Sequence, residues 1–124
     1  MAEDQTGTLN DGGRPLQVKR AFVNVAASQT DSVVVAAVAG KVLRVLSAVL
    51  VTGGTATITT FNSKGSGAGT AISPAFALGI NGVLTLARHK DGWFDTNGGE
   101  ALTVTTGAGS TTGILVSYAE MGPA

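Results

Sequence analysis

The stretch Lys41–Thr52 limits the possible folds of this chain more than any other. It reads Lys-Val-Leu-Arg-Val-Leu-Ser-Ala-Val-Leu-Val-Thr. One parity carries Val42, Arg44, Leu46, Ala48 and Leu50; the other carries Leu43, Val45, Ser47, Val49 and Val51. Successive side chains of a strand point to opposite faces, so a strand here presents two mostly apolar faces. A sheet with one wet side would show clean alternation instead. The strand is therefore expected to be covered on both sides, by a second sheet and by another copy of the chain.

Composition agrees with a subunit that hides much of its surface. Only 13% of the 124 residues are charged, about half the usual ~25%, whereas a solitary small domain normally carries more charge to stay soluble. With 44% hydrophobic residues and a net charge of zero, an unfolded polar chain is excluded, and the length suits one domain with a real core. Eight basic residues balance eight acidic ones with no basic run, which argues against a nucleic-acid partner. The absence of cysteine rules out a disulfide framework and thiolate chemistry. The acidic, polar start does not read as a signal peptide. The apolar run Val33–Val51 is interrupted by Gly40, Lys41 and Arg44, so it reads as strand, turn and strand, not as a membrane-spanning helix, which needs about 20 clean apolar residues. No membrane partner is expected.

Three segments follow from the pattern. Residues 1–17 hold little apolar material and read as a flexible N-terminal arm, turned into the body by Asp11-Gly12-Gly13-Arg14-Pro15 and suited to lie along a neighbouring subunit. Residues 18–121 read as a β-sandwich domain, and residues 122–124 as a tail. Strands are expected at Val18–Ala26, Ser32–Ala39, Lys41–Thr52, Thr55–Phe61, Ala71–Ser73, Val83–Arg88, from Trp93, Ala101–Thr106 and Ile114–Met121, and Phe76–Ile80 is a short apolar stretch. Gly40-Lys41 and Thr52-Gly53-Gly54-Thr55 read as tight turns, the latter as a hairpin. Asn81-Gly82 is a further turn dipeptide, and 62–70 is a loop by composition. Leu102 and Val104 are expected to face inward, and Leu84 and Leu86 to share one face of their strand. About eight short strands without helical periodicity indicate an all-β, jelly-roll-like sandwich.

Candidate chemistry is sparse. His89 is the single histidine; a nucleophilic triad would set it between a serine and a carboxylate such as Asp91 or Asp95, but no Gly-x-Ser-x-Gly elbow precedes a helix, and Ser66 lies in a loose loop. His89 reads as a surface residue beside a turn. The 62–70 loop lacks the order of a phosphate cradle, because Lys64 precedes the glycines. Asp91, Asp95, Asn97 and Glu100 form the densest acidic cluster and have oxygen ligands suited to calcium, but the pattern breaks after Glu100 and reads better as a solvated turn. Trp93 with Phe94 reads as a subunit seam in preference to a sugar platform. The candidate interface residues are Arg44, Trp93, Phe94 and Tyr118. No residue is assigned to catalysis, to a cofactor or to a metal.

The C-terminal third carries a resemblance. Gly92-Trp93-Phe94-Asp95-Thr96, then Gly99-Glu100-Ala101-Leu102-Thr103-Val104-Thr105-Thr106, a small-residue loop and Gly113-Ile114-Leu115-Val116-Ser117-Tyr118 resemble small tailed-bacteriophage virion proteins, over about Phe22 to Met121. The resemblance implies a jelly-roll or tumour-necrosis-factor-like sandwich assembled as a trimer. It further implies capsid decoration (a cement protein), or a module of head or tail fibres. It carries over no active-site residue. The expectation is a non-enzymatic bacteriophage structural protein on the capsid surface of the virion. Its partners would be its own copies, as a homotrimer, and the major capsid protein or another virion protein. The alternative is a receptor-binding or fibre module recognising host surface glycans. A third reading is a lectin-like or cytokine-like binding domain outside any virion.

Overall fold

The computed structural model describes residues 8–11 and 14–122, and among them it is all-β. Runs rich in Val and Thr, with Gly and Asn at the joints, form short strands because branched side chains fit a pleated surface. In chain order they are β1 (Thr8–Asp11), β2 (Arg14–Val25), β3 (Ser32–Val35), β4 (Val42–Thr52), β5 (Thr57–Lys64), β6 (Thr70–Ala71), β7 (Phe76–Leu78), β8 (Val83–Leu86), β9 (Phe94–Asp95), β10 (Ala101–Thr106) and β11 (Thr112–Met121). They make two antiparallel sheets. One has the order β1-β2-β11-β4-β8, with β9 also on β4; the other has β3-β10-β5-β6, with β7 also on β5. The sheets stack as a β-sandwich.

The core lies between them. Leu43, Val45, Ala48, Leu50, Val116 and Ile114 from the first sheet meet Phe61, Leu102 and Val104 from the second. Phe61 sits at the centre, 5.0 Å from the Phe94 ring and 6.4 Å edge-on from Phe76. Burying one such side chain contributes about 1.5–3 kcal/mol, and truncating Leu50 to Ala would cost about 2–5 kcal/mol. Leu102 and Val104 face inward as expected, and Leu84 and Leu86 pack against the same core.

The two apolar parities of β4 have a local cause. Tyr118 pairs with Val45 and Ser117 with Ser47, which leaves Leu46 as the extra residue of a β-bulge. Leu43 and Val45 face the core before the bulge; Ala48, Leu50 and Thr52 do so after it. The core face thus changes parity midway. Leu46 itself is fully buried in a small second cluster with Ala119, flanked by Val18 and Met121. Part of the second apolar face is therefore covered by the chain's own residues.

Several expectations change. The 1–17 arm is not wholly loose: Thr8–Asp11 pairs with Arg14–Gln17, and β2 runs unbroken from Arg14 into the body. Residues 1–7 lie outside the described residues, as do 123–124 of the tail. Thr52-Gly53-Gly54-Thr55 does not close a hairpin; β4 and β5 belong to different sheets, so this link crosses the end of the sandwich. It is tied there to other loops, with Gly53 N donating to Ser110 Oγ at 3.0 Å and Asn81 N donating to Gly53 O at 2.7 Å. The strand expected to reach Ala39 stops at Val35, because its ladder partner β10 starts at Ala101, one residue beyond the Leu102–Val35 pair. Asn62–Lys64, expected in a loop, completes β5 against Ala101–Thr103.

Candidate assembly surface

The outer face of the first sheet is read directly from its register. Phe22, Leu115, Val49 and Thr85 form one row across β2, β11, β4 and β8; Asn24, Gly113, Val51 and Val83 form the next. Side chains on one face of neighbouring strands stand about 5 Å apart, so these rows make a continuous apolar patch. Phe22 is 80% exposed and Val83 62%, with Leu115 and Val51 also open to solvent. Gly113 leaves a gap in the second row, where a Cβ would meet Asn24 Oδ1 at 3.2 Å. The gap and its neighbours shape a depression of about 300 Å³ lined by Phe22, Asn24, Val49, Val51 and Leu115.

The four residues proposed from sequence gather around Val45 without sharing one surface. Phe94, Val45 and Tyr118 form one row facing the core. Phe94 stacks on Phe61, and Tyr118 packs half-buried against the same cluster, so both turn inward instead of outward. Position in the bulged strand explains this, because the bulge sets Val45, and its cross-strand partners with it, on the core side. Arg44 lies outside and holds Asp95 through two bonds, Nε to Oδ1 at 2.9 Å and Nη2 to Oδ2 at 3.0 Å. Its stem runs over Gly92, where a Cβ would collide with it. Trp93 is 47% exposed, with its Nε1 donating to Ala87 O at 2.7 Å and its backbone N to Val45 O at 2.8 Å. The exposed apolar face lies farther along the same strands and was marked in sequence by Val49 and Val51, on the second apolar parity of Lys41–Thr52, and by Phe22, an aromatic between Arg20 and Asn24.

The acidic cluster disperses in space. Asp95 belongs to Arg44, while Glu100 accepts from Ser63 Oγ at 2.6 Å and from Asn97 Nδ2 at 3.3 Å. No group of three potential metal ligands occurs among the described residues. His89 Nδ1 accepts the Asp91 backbone N–H at 3.2 Å within an exposed turn.

A different polar cluster was invisible in the sequence. Asp31 Oδ1 accepts from Asn62 Nδ2 at 3.1 Å and Thr103 Oγ1 at 3.0 Å, while Oδ2 accepts the Gly69 N–H at 3.0 Å. Thr105 Oγ1 joins it, accepting from Asn62 Nδ2 at 2.9 Å and Asp31 N at 3.2 Å. Asn62 and Thr103 are buried, and the Asn62 side-chain nitrogen and the Thr103 hydroxyl both have partners, as buried groups require. The cluster clamps the 65–69 loop to β5 and β10. These residues come from well-separated segments, so no local spacing could have announced it.

No family model matches the chain, and neither a curated protein nor a solved structure matches it.

Proposed function

We propose that this protein is a non-enzymatic structural component of a bacteriophage virion, which decorates and stabilises the capsid surface through contacts between its own copies and with the major capsid protein. The observation that carries this reading is the uncovered apolar face of Phe22, Leu115, Val51 and Val83. Patches of this kind on a small domain mark association sites. The proposed occupant is a second copy of the chain, within a homotrimer. Four strands about 4.8 Å apart and the four residues of β8 rising about 3.4 Å each give an apolar face of roughly 260 Å² in projection, the centre of a contact to which each partner of a stable pair brings ~800 Å². A formal net charge of zero puts little repulsion between copies.

The strand order supports a jelly-roll reading of the sandwich. The chain passes back and forth between the sheets, and its strands nest in pairs, β2 with β11 and β3 with β10, as in a double Greek key. Such a body supplies rigid contact area and strands that do not slip, which suits a clamp on a pressurised shell. Light scattering across a concentration series, with co-sedimentation on empty shells and copy number per particle, tests the function. A stable single subunit without affinity for shells would overturn it.

A fibre module recognising host glycans is the second reading, favoured by the exposed Trp93 ring. It predicts binding to cells or purified polysaccharide, lost in Trp93→Ala with assembly intact.

A further inference from the structure

Asn-Gly occurs twice in the chain, at Asn81-Gly82 and Asn97-Gly98. The dipeptide is chemically labile. The glycine nitrogen attacks the side-chain amide carbon, ammonia leaves and a cyclic imide forms. Water then opens the imide to aspartate, or to isoaspartate with the main chain rerouted through the side-chain carbonyl. Glycine offers no Cβ to hinder the approach. The attacking N–H must, however, be free to give up its proton.

The two copies occupy different places in their turns. Asn97 is the first residue of a turn closed by Glu100 N donating to Asn97 O at 3.1 Å, with Gly99 at φ 75° in the third position, the pattern of a type II turn. Gly98 is then second, and its N–H has no hydrogen-bond partner among the described residues. Asn97 is exposed, and its side-chain amide makes one long bond, to Glu100 Oε1 at 3.3 Å. Asn81 is instead third in its turn, at φ 51°. Gly82 closes that turn, and its N–H donates both to Gly79 O at 2.9 Å and to Thr52 Oγ1 at 2.9 Å.

We propose that Asn97 is a site of spontaneous deamidation in this protein, and that Asn81 is protected by its place in the turn despite the same following glycine. Conversion sets a carboxylate beside Glu100 and replaces a donated bond by repulsion. Ser63 Oγ bonds both Glu100 Oε1 at 2.6 Å and Asn97 N at 2.9 Å, so the change reaches the junction of β5 and β10. Isoaspartate also adds a main-chain atom between Thr96, held to Leu43 O at 3.0 Å, and Gly99, held to Lys41 O at 2.8 Å. The aged molecule is looser at the corner between β9 and β10.

Purified full chain is aged in mildly alkaline buffer, sampled over weeks and mapped by mass spectrometry with isoaspartate separated from aspartate. Asn97 should convert about tenfold or more faster than Asn81, as two hydrogen bonds of ordinary strength on the attacking nitrogen would impose. The melting temperature should fall with age in the wild type and hold in Asn97→Gln. Equal conversion at both sites, or conversion at Asn81 first, would overturn the assignment. So would an intact Asn97 after the denatured chain has converted. An equal loss of melting temperature in Asn97→Gln would overturn the structural consequence.

Discussion

Gly69 and Asp31, 38 residues apart, are locked together, with the Gly69 amide donating to Asp31 Oδ2 at 3.0 Å. A methyl group at Gly69 would collide with that carboxylate. Bonds to a charged acceptor contribute about 1.5–3 kcal/mol, so Asp31→Ala should cost about 2–3 kcal/mol in urea unfolding. Gly69→Ala should cost a similar amount in the wild type and less in the Asp31→Ala background, since the collision with the carboxylate is then gone and only the contact with Asn62 Cβ at 3.0 Å remains. Additive costs in the double mutant would show that the two residues do not act as a unit.

The outer face makes a separate prediction. Phe22→Glu places a charge where a second copy is proposed to pack. An aromatic anchor of this kind contributes about 2 kcal/mol or more, which is roughly thirty-fold in association. Light scattering should show smaller species, while the unfolding free energy of the single subunit stays within about 0.5 kcal/mol, as for an exposed position. Unchanged mass at every concentration would place the self-contact elsewhere.

Two buried threonines should respond in opposite directions. Thr59 and Thr106 face each other across β5 and β10. Thr59 Oγ1 has no partner among the described residues, whereas Thr106 Oγ1 donates to Ala26 O at 2.7 Å and accepts from Gln29 N at 3.0 Å. Thr59→Val should stabilise by about 1 kcal/mol, and Thr106→Val should destabilise by about 1–3 kcal/mol. Calorimetry on both variants checks the sign of each.

The Lys19 ammonium donates to Glu120 Oε2 at 2.9 Å, and this bond, then the Glu120 charge, raises Lys19 above the usual lysine value of 10.5. The folded chain thus holds that proton more tightly than the unfolded one. The contribution is complete below the unfolded value of 10.5 and is lost as pH rises through the higher folded-state value. The difference in melting temperature between wild type and Lys19→Met should therefore be small at neutral pH, because the pair is exposed, and should close under strongly alkaline conditions. A difference that persists there would assign the effect to packing of the lysine stem.

The strands were legible in the sequence because alternation is local. Ala101–Thr106, with Leu102 and Val104 inward, needed only its own residues. Which strands pair was less legible: Gly53-Gly54 has hairpin chemistry, but the chain uses it to cross between sheets, a choice made by β11 and β8 occupying both sides of β4. The direction of Phe94 and Tyr118 depended on the bulge opposite Ser117, which arises only once β11 and β4 are in register. The Asp31 cluster assembles from separate segments and has no local signal.

The extra residue at Leu46 also governs how β4 can tolerate changes of length. Removing Leu46 would join Val45 to Ser47 and restore plain in-and-out order, with Leu43, Val45, Ala48 and Leu50 still directed at Phe61 and its neighbours. Dropping Ser47 would do the same with Leu46 in its place, whereas a deletion that leaves the bulge standing would turn one end of the strand inside out. Among related chains, then, a shortened β4 is expected to have lost its bulge, and loss of Leu46 itself would also remove the anchor by which Leu46 O receives the His89 amide.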